Sequence, residues 1–539
     1  LERNPEMGTF LSIEGARHGR LSDLSLEALD EWQSREEVWL QTLLSIEEPD
    51  DVGSRDWVSY SILRETLEAA IARRVCRDEL WQASDNNGWH RWLPFLFNIQ
   101  PVGSEELQQQ TLDRLGQVDD YIDSLIANLR LGLESGYSSP RVTVEPVPEQ
   151  IRALIGDNSI FLDPAVRAND EQFAEAVRKV FESEIVPAVN RYAEFLEDVY
   201  LDEARETLAV TAHSNGDRCY AARVRSYATI QPTAGEIHDL GLEQVASIRA
   251  EMRETIDTYF GGGPVAEFLR RVTIDPEFTF ESEDEVLQYS LDGLDAAKQA
   301  MTRAFGTLPK ADVLVKPYPA FAASGTGEYH SSSEDGSRPG IFYIPVIDPT
   351  RRSRAVQLPL LYHETYPGHH HQGAIALELG DRIHPIARYL WNSGYSEGWG
   401  LYSERLADEL GLYPTPLDRM GMFSDQAARA ARLVIDTGLH TKGWARQQAV
   451  DYLAANSSWS DVDIESEINR YIADPGQATA YMLGMLEIRR LRTLAEEELG
   501  EAFDVRAFHD RVVGYGQITL PMLQASILAW IEEQKAANN

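Results

Sequence analysis

Through the first half of the chain, apolar residues recur every three or four positions, the spacing that keeps one face of a helix in a core. Leu112, Leu115, Val118, Ile122, Leu125, Leu129 and Leu133 follow it and stop at Ser135-Gly136, which predicts one amphipathic helix. Thr233-x-x-Glu236 is a capping box that opens a second run, with Ile237, Leu240, Val245, Ile248, Met252 and Ile256 on its apolar side. That run ends at Gly261-Gly262-Gly263-Pro264. Ser282-x-x-Glu285 opens another helix, and residues 171–205 predict a long one kinked by Pro187. His90, His213 and His238 stand alone in this half and read as structural histidines.

The second half has a different pattern. Val313-Leu314-Val315 and the stretch from Ile341 to Ile347 read as short strands bounded by Pro and Gly. Between them, ASGTGEYHSSSEDGSRPG (323–340) is long and rich in Ser and Gly, the character of a lid or of a plain surface excursion. The strand at 341–346 leads toward the histidine cluster and is expected to be a sheet edge. It would pair with an extended substrate, or simply finish a small structural sheet.

LYHETYPGHHHQ (361–372) holds four of the twelve histidines, His363, His369, His370 and His371, with Glu364 after the first. Imidazoles beside a carboxylate are usual zinc ligands, and His-Glu on a helix begins the H-E-x-x-H signature. Here Pro367-Gly368 stands where the second histidine of that signature belongs. Proline lacks the N–H and clashes with the preceding turn, so the helix has to kink or break. The segment reads as H-E-x-x-H with two residues inserted, a local bulge returning His369, or else His370, toward His363. A histidine-rich helix end that caps carbonyls is the plainer alternative.

Downstream, Glu397 opens an apparent helix in GYSEGWGLYSERL (394–406). A carboxylate from a following helix is a common third ligand, leaving one position for water. Glu404, on the same face two turns later, is a second choice. Glu404, Asp408 and Asp436 are also candidates to accept the other N–H of a ligating imidazole. Glu364, next to a ligand but not one itself, suits the general base.

The motifs DGSRPGIFYIP (335–345), YHETYPGHHHQ (362–372), SEGWGLYSERLADELGLY (396–413), RAARLVIDTGLH (429–440), INRYIADPGQATAYMLG (468–484) and FHDRVVGYGQITLPML (508–523), with YATIQPTAGEIHDLGLEQV (227–245), carry a resemblance. In this order they resemble a bacterial family catalogued as domain of unknown function number eight-eight-five, regarded as similar to gluzincin-type metallopeptidases. The resemblance implies a mainly α, zincin-like fold with a small antiparallel β-sheet and two helical lobes around a deep metal-site channel. It implies one Zn2+ per chain on His363, His369 and Glu397, and Tyr481 or His440 as donor to the oxyanion. Arg429, Arg432, Arg470 and Arg489 fall in or beside these motifs, where one of them would suit a substrate carboxylate. The function expected is hydrolysis of a peptide or other amide bond in a small peptide or amino-acid-derived substrate. A non-catalytic binding protein and a metal-dependent lyase are the alternatives.

Composition narrows the partners. A chain of 539 residues with 43% apolar content has material for more than one lobe. The expected division is a helical lobe at 1–305 and a metal-site lobe with the sheet at 306–539, packed as one unit. A net charge of −38 repels phosphate backbones and anionic lipid, so neither nucleic acid nor a membrane is an expected partner. No apolar run approaches the roughly 18 residues of a membrane span. LERNPEMGTF lacks the apolar stretch of a signal peptide, although a leader removed ahead of it is compatible with that. Two cysteines, Cys76 and Cys219, read as buried thiols in a reducing compartment, which makes the cytoplasm the expected location.

Overall fold

The apolar spacing is realised as helix nearly throughout. The computed structural model describes every residue except 14, 157, 319–326, 335 and 539, and within these it is mainly α with one three-stranded sheet. The described chain divides into two compact units. One comprises Leu1–Thr42, Ile71–Cys219 and Asn469–Asp474; the other comprises Leu43–Ala70, Tyr220–Ile468 and Pro475–Asn539. Residues 220–305, expected in the first lobe, therefore fall in the second unit. Close packing of the capping-box helix is the reason. Gly241 on Ala234–Tyr259 lies so near Leu433 and Val434 on Pro416–Thr441 that an added Cβ would meet either at 2.7 Å.

The first unit is built around buried Leu93, Phe97, Ile122, Phe161, Val177 and Leu196. Its predicted helix over 112–133 is two helices, Glu105–Leu115 and Val118–Glu134. The break at Gly116-Gln117 is silent in the apolar pattern because Leu115 and Val118 on either side are both fully buried. Residues 171–203 stay helical by widening into π turns at Phe181–Ile185 and Leu196–Tyr200. The first π turn sits just ahead of Pro187, where the missing N–H would otherwise interrupt the ladder.

Cys76 and Cys219 are joined in a disulfide, which corrects the expectation of two free thiols. They stand 143 residues apart, and no local sequence feature pairs cysteines over that span. His90 bonds Gln150 at 2.9 Å and His213 bonds the Ser138 carbonyl at 3.0 Å, both structural contacts as expected.

In the second unit, Thr233 Oγ1 accepts from the Glu236 N–H and Glu236 accepts from the Thr233 N–H, completing the predicted box. Ser282 likewise caps Glu283–Ala300. His238 bonds Thr437 at 2.8 Å. The sheet contains β1 (Val313–Pro317), β2 (Glu328–His330) and β3 (Gly340–Ile344) in the order β1-β3-β2. β3 is parallel to β1 and antiparallel to β2, so the sheet is mixed rather than antiparallel. It also follows that 341–346 is not an edge: β3 is flanked on both sides, and β2, whose Tyr329 bonds His370, stands at one edge of the sheet among the described residues. β2 escaped sequence reading because three residues bounded by a serine run show no alternation. The lid expectation for 323–340 rests partly on residues outside the described ones.

Candidate metal centre

Pro367 does more than bulge a helix. Gln357–Glu364 stops, and His369–Glu378 begins after a four-residue turn containing a cis Tyr366-Pro367 peptide. Gly368 is required there, since a Cβ would lie 1.9 Å from the His363 carbonyl oxygen. The turn exposes carbonyls that need donors. The Trp399 indole N–H donates to Pro367 O at 3.0 Å and to Gly368 O at 3.2 Å, and Ser403 Oγ donates to Pro367 O at 3.3 Å. Both donors stand on Ser393–Glu409, the helix that carries Glu397.

The turn swings His369 back beside His363, their rings 4.7 Å apart and perpendicular. Glu397 Oε2 lies 3.4 Å from His363 Nε2 and 3.5 Å from His369 Nε2. One ligand atom from each of the three side chains falls within 4.8 Å of the others. The Glu397 helix comes close to Ala480–Leu499 through glycine contacts: a Cβ on Gly398 would meet the Gly484 backbone at 2.5 Å.

A second carboxylate fixes one imidazole. His363 Nδ1 donates to Glu404 Oε1 at 2.8 Å, and Gln426 Nε2 donates to Glu404 Oε2 at 3.1 Å. Glu404 thus orients a histidine, leaving Nε2 to face Glu397. Gly400 leaves room for that ring, since a Cβ would sit 2.6 Å from it. Asp408 instead accepts from Arg419, and Asp436 accepts from the Tyr220 hydroxyl and the Gly476 N–H. His370 is committed elsewhere. Its Nε2 lies 3.1 Å from the Ala311 carbonyl, which can only accept, so Nδ1 is the acceptor for the Tyr329 hydroxyl at 2.8 Å. Of the two alternatives, His369 is therefore the one that joins His363.

Electrostatics mark the cluster as short of positive charge. Burial alone would depress the His363 pKa, but hydrogen bonds to Glu397 and Glu404 outweigh it and raise it to about 10. Burial would raise Glu397, yet its bonds to His363 and His369 hold it well below the usual carboxylate range. Glu364 is pushed up by burial and by Glu397, against the opposing charges of His369, His363 and Arg429. It is thus a half-buried carboxylate next to His363, with a raised proton affinity. Two imidazole nitrogens, one carboxylate oxygen and a carboxylate bracing the first histidine form the donor set of a zinc site, so these residues fit the ion.

The remaining candidates separate. Tyr481 is half-buried under the Arg432 guanidinium, 4.4 Å from its ring, and three residues from the Gly484 that touches Gly398. His440 packs against Tyr220 at 5.7 Å and stands eleven residues, about 16 Å, beyond Arg429 on Pro416–Thr441. Arg429 pairs with Asp425 at 3.0 Å and Arg432 with Glu467 at 2.8 Å, while Arg470 lies over Tyr471. Arg489 lines a 420 Å³ cavity with Arg405 and Arg492. Sequence reading missed Trp399, Gln426 and Tyr329. Of these, only Trp399 carried a signal, its place inside GYSEGWG.

A bacterial family described as "Bacterial protein of unknown function (DUF885)" matches residues 5–527. The chain belongs to DUF885. No curated protein matches it in sequence. A candidate lipoprotein from Colwellia psychrerythraea has a similar structure at TM-score 0.90 and 26% identity, over 99% of this chain and 96% of that one. A second candidate lipoprotein, of unknown function and from Shewanella oneidensis, is similar at TM-score 0.76 and 15% identity, over 97% and 96%. The DUF885 fold thus recurs at full length in two solved structures. No helix among the described residues is long and apolar enough to cross a membrane.

Proposed function

We propose that this chain is a zinc-dependent hydrolase of peptide or other amide bonds in small substrates. The observation that carries this reading is the convergence of His363, His369 and Glu397 within 4.8 Å, with Glu364 half-buried beside them. His363, His369 and Glu397 would hold the ion, with Glu404 fixing the His363 tautomer. When bound, Zn2+ supplies a Lewis acid and lowers the pKa of water toward neutrality.

Glu364 takes the proton of the attacking water and delivers it to the departing nitrogen. Its raised proton affinity suits both halves of that exchange. The Tyr481 hydroxyl is the preferred donor to the oxyanion, because the glycine contact holds its helix against that of Glu397. The β2 edge, tied to the site by the Tyr329–His370 bond, replaces β3 as the strand that would align an extended substrate.

Location follows a separate line. The disulfide removes the premise of a cytoplasmic assignment, and such bonds persist in oxidising compartments. Together with the lipoprotein description of the Colwellia relative, this supports placement outside the cytoplasm.

The deciding experiment pairs metal analysis with Glu364→Gln. About one zinc per chain is expected in both forms, and hydrolysis of a short-peptide panel should fall at least about a hundredfold in the variant. Equal turnover by both forms, or protein that binds no metal when zinc is supplied, overturns the reading.

A further inference from the structure

One indole stands in solvent at the edge of the cluster. Trp391 precedes the Glu397 helix and is 54% exposed, where most tryptophans of the described chain are buried or half-buried. Its ring lies 5.5 Å from that of His369 at an interplanar angle of 62°, so it touches one of the three proposed ligands edge-on. What sets this exposed indole apart is its place, since its flat apolar face borders a proposed ligand. The neighbouring residues point the same way. Asn392 is buried and its amide donates to the Gln517 carbonyl at 3.2 Å, and Ser396 donates to the Gln517 side chain, so the backbone on the C-terminal side of Trp391 is anchored. The indole is therefore held at the centre by its own chain, and its outer face is free.

We infer that Trp391 is a substrate-contact residue and that the preferred substrates carry an aromatic side chain next to the scissile bond. This rests on the hydrolase reading above and adds the substrate class. A flat apolar face beside His369 would stack on such a ring and, on closing, shelter Glu364 from bulk water. A basic side chain is the rival occupant, favoured by the −38 charge and by cation–π attraction.

The test uses zinc-loaded Glu364→Gln protein and calorimetric titration of alanine pentapeptides bearing one Phe, Leu or Arg at each position in turn. At one position Phe should bind about tenfold more tightly than pentaalanine, with Leu between them. Adding Trp391→Ala should bring the Phe peptide down to the level of pentaalanine, and Trp391→Phe should restore part of the difference. Equal affinities at every position, a Phe preference that survives Trp391→Ala, or a stronger preference for Arg would overturn the inference while leaving the hydrolase reading intact. Binding of no peptide at all would likewise overturn the inference.

Discussion

Glu404 accepts a hydrogen bond from His363 Nδ1 at 2.8 Å while its other oxygen is held by Gln426, so a fully buried carboxylate dictates which nitrogen His363 shows to Glu397. Such partners fix both the tautomer and the basicity of a ligating imidazole. Glu404→Ala should therefore weaken zinc binding about 10- to 100-fold in competition with a chromophoric chelator, although Glu404 is not counted among the ligands. Unchanged affinity would show that His363 needs no such brace.

Gly400→Ala isolates the space rather than the charge. In a helix interior this exchange ordinarily stabilises by up to about 1 kcal/mol. Here the new methyl would meet the His363 ring at 2.6 Å, and Glu404 holds that ring at Nδ1. The expected result is a protein with near-unchanged thermal stability and zinc affinity reduced at least about tenfold. Titration of zinc into both proteins measures it, and equal affinities would mean the ring moves aside freely.

How far these relationships could be read from residues alone differs from one to the next. That His363 and Glu397 belong to one candidate site was legible because the signals are local: a His-Glu pair ahead of a helix-breaking proline, and a carboxylate in the first turns of a later helix. His369 was legible only as an alternative to His370. The choice turns on Tyr329, which sits 41 residues away on a strand too short to show a pattern. β3 was visible as a strand, but its interior position was not, since that depends on what pairs beside it. Cys76–Cys219 stayed hidden for the same reason. Helix caps at Thr233 and Ser282 were read correctly because every atom involved lies within a few residues. The division of the chain failed at 220–305, where the tight seam at Gly241 lies nearly 200 residues from its partners Leu433 and Val434.

The disulfide predicts a stability difference. Closing a loop of this length restricts the unfolded chain, and removing such a bond costs about 2–5 kcal/mol. Cys76→Ser/Cys219→Ser protein should unfold at a lower urea midpoint than the parent. Ellman titration of the urea-unfolded, unreduced parent should find essentially no thiol. Two titratable thiols in protein prepared under oxidising conditions would refute the pairing.

Acid sensitivity follows from buried histidines outside the triad. Burial is the main cause that lowers His90 and His213 to about 4 and His509 to about 3, with Arg205 also acting against His213 and Arg492 against His509. The unfolded chain protonates these groups near their ordinary 6.5, before the folded one does. Their contribution to stability is therefore complete above pH 6.5 and is lost as pH falls from 6.5 toward 4. Each steepens the fall by on the order of 1 kcal/mol per pH unit. His363, raised to about 10, works with the opposite sign: its effect is lost as pH rises from 6.5 toward 10 and adds no slope well below 6.5. Most carboxylates titrate lower still, so the interval from pH 6.5 to 5 reports chiefly these buried imidazoles. Urea midpoints measured across it should drop steadily, for the first unit through His90 and His213 and for the second through His509 together with His370 and His371, which burial lowers to about 4 and about 3. Midpoints that stay level to pH 5 would mean that these rings gain protons in the folded protein as readily as in the unfolded chain.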